Sequence, residues 1–381
     1  MRIPSEDSFT SRLRSAAVAA RVGLWLGICF LVALATGLIS HYAQVDHQPV
    51  PLPTSPSWGY QVTQGLHVVA GTAAIPLLLI KLWVVFPKLF QPMPRRVREA
   101  LPTALERGSI AILVSTSLVQ LTTGLLNVAQ WYPWGFSFRS THYALAFVAV
   151  GALLVHIAVK LPVVRDALTG DVEDTAHDRP NARQSGPVSR RGVLVLAGTS
   201  ALAAAFLYTA GTVPGVGRIA ALSPRSRQHG IPINRTAHSA GVVAEASSSD
   251  YRLEVVHGTT SRSLSRQDLV AMEQRTCTLP IACVEGWSAT GDWGGVRLRD
   301  LLDLVGAPPG REVRIRSIQT FSASADTVLP PNFADDDRTL LALELDGETL
   351  SMDHGYPVRL IAPNRPGVMQ TKWVSRIEVL G

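Results

Sequence analysis

The sequence predicts an α-helical membrane bundle, four helices plus a fifth anchor helix, followed by a strand-rich α+β domain. Three observations carry this. Only 17% of the 381 residues are charged and mean hydropathy is +0.20, too apolar for a plain soluble chain of this length. Five stretches approach the roughly 20 residues that a helix needs to cross a hydrocarbon core of about 30 Å, and the interval 108–138 holds no Asp, Glu, Lys or Arg. Beyond residue 231 the chain breaks into short alternating segments punctuated by Gly, Pro and Asp, the pattern of strands in a globular domain. Disorder and a small disulfide-stapled fold are excluded by the same composition. The three cysteines, Cys29, Cys277 and Cys283, form no CxxC pair. The net charge of +6 lies largely beside apolar runs, so it reads as topology and not as a nucleic-acid footprint.

The spans are read at 22–40, 66–86, 109–127, 141–159 and 192–211. Lys and Arg number four before the first span, then none, five, one and six in the successive connections. This alternation places the N-terminus in the cytoplasm, and an odd number of spans leaves the last domain on the outer face. Trp131, Tyr132 and Trp134 cluster where the third span would meet the outer interface. The organisation read from this is a membrane domain at 1–165, a cytoplasmic linker at 166–189, the fifth helix at 190–213, a second linker at 214–230 and the outer domain at 231–381.

Within the first four spans the histidines are the informative residues, because ionisable or ligand side chains in a bilayer are costly and mark functional sites. His67 and His142 both lie near the outer ends of their spans. They either ligate one haem b from opposite sides or hydrogen-bond neighbouring helices. His156 lies 14 residues beyond His142, about 21 Å along the helix and close to the same face. This two-level spacing resembles the four-helix cytochrome b subunits of membrane-bound dehydrogenases. It departs from them at the second level, where the residue 14 after His67 is Lys81. One haem, not two, is expected. His41 and His47, in the first outer connection, are read as solvated.

The fifth span is rich in Ala and Gly and follows the string Ser189-Arg190-Arg191-Gly192-Val193-Leu194. That string resembles a twin-arginine export signal, which carries folded, cofactor-loaded domains across a membrane. Two arginines anchoring a helix on its cytoplasmic side are the alternative. The polar stretch 169–188 before it suits a boundary between a four-helix unit and a separately exported one. No convincing small-residue cleavage site follows, so the helix is expected to remain as an anchor.

In the outer domain, strands are read at 251–256, 312–318, 340–345, 358–361 and 373–379, and short helices at 265–273 and 298–305. No Walker loop, Rossmann fingerprint, HExxH or GxSxG string occurs. What stands out is Ile281-Ala282-Cys283-Val284-Glu285-Gly286-Trp287-Ser288, then Trp293-Gly294-Gly295-Val296 and Leu298-Arg299-Asp300-Leu301-Leu302. A second block runs His354-Gly355-Tyr356-Pro357-Val358-Arg359-Leu360, with Gln370-Thr371-Lys372-Trp373 beyond it. A thiolate is a soft, strongly donating ligand suited to a high-valent metal, and a cysteine at the exit of an apolar strand before a Gly-Trp turn can present one. Arg359 and Lys372 supply the positive charge that a buried phosphate requires. The alternatives for Cys283 are a buried apolar filler or a disulfide with Cys277.

These blocks resemble the molybdopterin-binding domain of the sulfite oxidase family, most closely its bacterial extracytoplasmic branch, the periplasmic methionine sulfoxide reductase catalytic subunit type. The resemblance covers residues 231–381. It implies a molybdopterin cofactor with Cys283 as protein ligand to molybdenum, and His354, Arg359, Gln370, Thr371 and Lys372 around the pterin and its phosphate. Ser317 and Asn234, the latter in a Pro-Ile-Asn-Arg-Thr string, match the family's cofactor contacts more loosely. Glu285 stands in a loop where sulfite oxidases carry an arginine, which argues against a small dianionic substrate. Together the halves imply a multi-pass protein of a bacterial cell membrane, in contact with lipid. It would exchange an oxygen atom with a sulfoxide or other small-molecule substrate and trade electrons with the quinone/quinol pool or a respiratory carrier. Reduction of a sulfoxide is the favoured direction. Oxidation of a small sulfur or organic compound uses the same parts, and a non-catalytic membrane sensor that keeps the fold is the reading from another class.

Overall fold

The computed structural model describes residues 4–175, 178–184, 186–209, 227, 228, 230–320 and 325–381. Most of the expected linker at 214–230 lies outside them. Five helices dominate the first half: α1 (Ala16–Tyr42), α2 (Gly59–Val85), α3 (Val97–Val128), α4 (Phe138–Thr169) and α5 (Arg190–Thr209). All five are long and apolar enough to cross a membrane. Leu31, Leu154 and Leu202 are more than half exposed, an arrangement that suits lipid better than water.

The chain divides into two compact units, 1–35 with 67–223 and 36–66 with 224–381. In the first, α1, α2 and α5 share a core built on Val18, Val22, Leu26, Leu77, Leu78, Val193 and Ala197. α3 and α4 pack along their lengths. Arg190, 1% exposed, is a tie-point for the chain before α1 and the chain before α5. Its guanidinium donates to the carbonyls of Arg12 (3.1 Å) and Val172 (3.2 Å) and pairs with Asp178, which also pairs with Arg12. One arginine of the pair singled out in the sequence is therefore a structural residue here.

The second unit begins with the ladder β1 (Arg227–Gln228) and β2 (Ile231–Pro232), the turns α6 (Ala237–Ala240) and α7 (Val243–Ala246), and the hairpin β3 (Leu253–His257) and β4 (Thr260–Leu264). It continues through α8 (Arg266–Ala271), β5 (Arg275–Ala282), β6 (Ser288–Arg297), α9 (Leu298–Asp303), β7 (Val313–Ser317) and β8 (Asp326–Leu329). It ends with α10 (Pro331–Ala334), β9 (Leu340–Leu345), β10 (Glu348–Thr349), β11 (Arg359–Ile361) and β12 (Val374–Val379). One five-stranded sheet runs β10-β9-β6-β5 with β11 also on β9, and the other runs β4-β3-β12-β7-β8. Among the described pairings between named strands only β12 with β3 is parallel. A core of Leu253, Val255, Leu301, Ile315, Leu341, Leu360 and Ile377 draws on both sheets and α9. Both short helices expected from the sequence are present, though shorter. α8 starts where Ser265 accepts from the Asp268 N–H and the Asp268 carboxylate reaches back, a reciprocal cap. Strands β5 and β6, which the sequence reading passed over, form the longest hairpin. Their Gly and Pro content, including Pro280, Gly291, Gly294 and Gly295, masks the period-two pattern.

Residues 36–66 fall in this second unit. The connection between α1 and α2 makes its contacts with the C-terminal domain. His47 is exposed, as expected, and meets Glu312 at 2.9 Å.

Candidate functional site

Cys283 follows directly on β5. The turn into β6 closes when its N–H donates to the Trp287 carbonyl (2.9 Å) and the Gly286 N–H to its own carbonyl (3.0 Å). The thiol is 1% exposed. Burial, and next the neighbouring Glu285 carboxylate, push its pKa up, so the bare site favours the neutral thiol. A bound cation reverses that preference, because a metal deprotonates a coordinating thiol. A disulfide with Cys277 is excluded. Six residues of extended chain separate the two by about 20 Å, against a reach of about 7 Å for a disulfide, and both cysteines are free.

Around Cys283 lies a narrow cleft lined by Asn234, Ile281, Trp287, His354, Arg359 and Lys372 among others. His354 and Gly355 end a short 3-10 turn, where Gly355 adopts φ 114°. A Cβ there would sit 3.0 Å from that of Arg359 and 3.2 Å from that of Lys372, so glycine lets the two cations approach. Arg359 is 5% exposed, donates from Nη1 to the His354 carbonyl (3.1 Å) and lies over the Trp293 ring. Its Nε has no partner. Burial lowers its pKa to about 10. Lys372 donates from Nζ to the carbonyls of Arg235 (2.6 Å) and Asp353 (3.0 Å), yet burial, and next the Arg359 charge, pull its pKa to about 7.

The remaining expected site residues are placed differently. His354 lines the cleft, but Nε2 donates to the Ile231 carbonyl (3.1 Å) and Nδ1 meets the Ser351 hydroxyl (2.9 Å). Both ring nitrogens are thus engaged by the protein. Gln370 spends its carboxamide on the backbone of Ala362, accepting at 2.7 Å and donating at 2.8 Å. Thr371 meets Thr327 at 3.1 Å, and Ser317 donates to the Lys372 carbonyl at 2.7 Å. None of these three side chains is among the cleft lining. Of the triplet only Lys372 is: Thr371, next to it in the chain, faces the other way, and Gln370, at the end of a 3-10 turn, is held back on Ala362. Asn234 is exposed at the rim. Trp287 forms part of the wall and donates from Nε1 to Glu285 (3.2 Å), whereas Trp293 is fully buried beneath Arg359.

The sequence reading missed Arg365. It is 5% exposed, donates from Nη2 to the Val328 carbonyl (3.0 Å) and leaves Nε and Nη1 without partners. Burial lowers its pKa to about 9. The Pro-Asn-Arg-Pro setting gives no outward sign of burial, and a lone arginine in a loop ordinarily reads as solvated.

A second cluster lies in the helical unit. The rings of His67 on α2 and His142 on α4 have centroids 6.1 Å apart. Nδ1 of His67 donates to the Ala33 carbonyl at 2.8 Å. The Thr123 hydroxyl spends its proton on Val119, so at 3.1 Å it accepts from Nδ1 of His142. Both neutral imidazoles therefore carry their proton on Nδ1 and present Nε2 as the basic nitrogen, the tautomer that carbonyl and hydroxyl partners set in metal-ligating histidines. Gly124 faces His142, where a Cβ would come within 3.7 Å of Cε1. At the other level, Lys81 donates to the Ala19 carbonyl (2.6 Å) and Nδ1 of His156 is buried without a partner.

The chemistry of the cleft at Cys283 fits a molybdenum-bearing pterin. It offers one soft ligand atom, two buried cations and an orphaned guanidinium N–H, which an anionic tail would satisfy. Among the described residues no group of three or more His, Cys, Asp or Glu could hold a metal.

Comparison with known proteins agrees. Residues 240–381 match the family described as "Oxidoreductase molybdopterin binding domain". A protein of Azospira oryzae named "Putative protein-methionine-sulfoxide reductase subunit YedZ1" is 32% identical over 36% of this chain and 52% of its own length. Sulfite oxidase of Arabidopsis thaliana is 34% identical over 31% of this chain and 37% of its own. A solved structure, the sulfane dehydrogenase SoxCD from Paracoccus pantotrophus, is 27% identical over 34% of this chain and 38% of that one, with a TM-score of 0.31. This chain thus spans about half the length, or less, of the relatives it matches. With a cysteine, two cations and a cleft of the right chemistry in the matched region, the C-terminal part of this chain is a molybdopterin-binding domain of the sulfite oxidase type, following an N-terminal part of five apolar helices.

Proposed function

We propose that the protein is a membrane-anchored, extracytoplasmic molybdenum oxidoreductase that reduces sulfoxide-type substrates with electrons drawn from quinol through a haem. The observation that carries this reading is the convergence of the buried Cys283 thiol with Arg359 and Lys372 on one cleft. Cys283 would be the protein ligand to molybdenum, and Arg359 and Lys372 would hold the anionic tail of the pterin. The bound cofactor supplies two-electron oxygen-atom exchange. The chain's residues supply the rest: a dry setting at Cys283, charge compensation from two cations, and a Trp287 wall that limits how substrate enters. The net reaction is sulfoxide plus quinol giving thioether, water and quinone, so the two protons and two electrons that the departing oxygen needs both come from quinol.

His67 and His142 would hold one haem b, an assignment supported by their spacing and shared Nε2-basic tautomer. The positive-inside pattern supports a cytoplasmic N-terminus and an outer catalytic domain, and the string around Arg190 supports export of that domain already folded. The sulfoxide-reductase name of one relative supports the reducing direction. Oxidation of a small sulfur compound is favoured by the sulfite oxidases among the relatives. Against a dianion stands Glu285, a carboxylate close enough to raise the pKa of Cys283. The test is oxidation of reduced viologen by the detergent-purified full chain on addition of an alkyl aryl sulfoxide. Sulfoxide-dependent oxidation is expected. Sulfite-dependent dye reduction alone would reverse the direction, and neither activity in a molybdenum-free protein would leave the sensor reading.

A further inference from the structure

The connection between α1 and α2 is organised by one side chain of the C-terminal domain. Asn364 is 8% exposed and holds a left-handed φ of 56°. Its N–H donates to the Ser57 carbonyl (3.2 Å), its Nδ2 donates to the Pro53 carbonyl (2.6 Å), and its Oδ1 accepts from the Tyr60 N–H. Tyr60 lies in the first turn of α2, where leading N–H groups have no partner within the helix. A residue 304 positions away in sequence thus caps that helix. Gly59 leaves the space for it, since a Cβ there would come within 2.9 Å of Oδ1.

The surrounding contacts repeat the pattern. Asn332 donates to the Leu52 carbonyl (2.8 Å), Arg338 to the Ser55 hydroxyl (2.9 Å) and Gln61 to the Ser288 hydroxyl (3.2 Å), while Asp46 accepts from the Val328 N–H (3.3 Å). Beneath them Ala43, Leu52 and Tyr60 pack on Ala282, the residue before Cys283. A surface built for passing collisions keeps exchangeable charges at a wet rim. Here a buried carboxamide is committed to the backbone of a single segment, and removing it leaves a buried donor and acceptor unsatisfied.

We propose that residues 43–61 form a docking platform that commits the molybdopterin domain to the helices of its own chain, with Asn364 as its positioning residue. Electrons then pass within one polypeptide and not through a diffusing carrier. This rests on the electron-transfer reading above. Asn364 does not line the cofactor cleft, so the two functions separate.

The test uses the full chain as wild type, Asn364→Ala and Asn364→Asp. Hydrogen exchange at 59–61 reads the platform without any turnover. Asn364→Ala should expose the Tyr60 amide, and Asn364→Asp, which keeps the acceptor, should restore much of its protection. A wild-type segment that exchanges like free peptide overturns the proposal whatever the enzyme does. In the activity arm, Asn364→Ala should keep its molybdenum and its viologen-driven rate within about twofold, while the quinol-driven rate falls by about tenfold or more. Equal loss of both rates, or of neither, contradicts the proposal. Absence of viologen-driven turnover in the wild type counts against the proposed reaction and leaves the exchange result to decide the platform. Should Asn364→Ala fail to accumulate, Gln61→Ala with Asn332→Ala removes two edge contacts and is read the same way.

Discussion

The helical unit and the C-terminal domain build their sites by opposite routes. In the helices, the rings of His67 and His142 lie close together on two rods, and the fold contributes their tautomer and spacing. In the domain one thiol is supplied, and most of the design is charge: Arg359 at the start of β11 and Lys372 just before β12 are gathered against Cys283 in the turn of the β5–β6 hairpin. On the proposed function, the bundle would specify a metal by its ligands, and the domain a large anionic carrier that brings most of the ligands itself.

Three perturbations break or sharpen this contrast. The largest effect is expected from Cys283→Ser. It should lower sulfoxide-dependent turnover by more than the roughly 100-fold typical of changes outside the ligand shell, while the visible haem spectrum stays as in the wild type. Loss of that spectrum as well would show the two sites to be structurally dependent. Next, His142→Ala should abolish the haem spectrum and quinol-driven turnover while molybdenum and viologen-driven turnover remain. A retained haem spectrum would count against the pair His67 and His142.

The smallest effect concerns Lys372 in cofactor-free protein. Its pKa of about 7 lies below the usual lysine value, so the folded state sheds this proton before the unfolded state does. Stability should then rise with pH between about 7 and 10, by at most about 1.4 kcal/mol per pH unit, and level off below 7 where both states are protonated. Lys372→Met should flatten that slope, measured by chemical denaturation across the range. Loading the anionic cofactor should also flatten it, because a phosphate restores the charged form.

The sequence carried the two halves unequally. Hydropathy and charge alternation were enough for all five helices, because a bilayer-spanning segment has to be apolar throughout. Cys283, Arg359 and Lys372 were legible as motifs because each has a demanding neighbour: a Gly286 turn, a Gly355 at positive φ, a strand entrance. Side-chain direction was not legible. Gln370 and Thr371 belong to the same triplet as Lys372, yet their hydrogen bonds are to Ala362 and Thr327. Asn364 and Arg365 were passed over because what they touch lies about 300 and about 40 residues away in sequence, and an Asn-Arg pair flanked by prolines looks like an ordinary turn. The hairpin of β5 and β6 was missed for a related reason, its glycines permitting close strand approach while removing the alternation that marks a strand.

The central claim is that one chain holds a molybdenum site and an iron site of these two kinds. Elemental mass spectrometry of the detergent-purified full chain, produced in a host that makes and loads the pterin cofactor, tests it most directly. The account predicts about one molybdenum and about one iron per chain. Iron without molybdenum would contradict the assignment of Cys283, and molybdenum without iron would contradict that of His67 and His142.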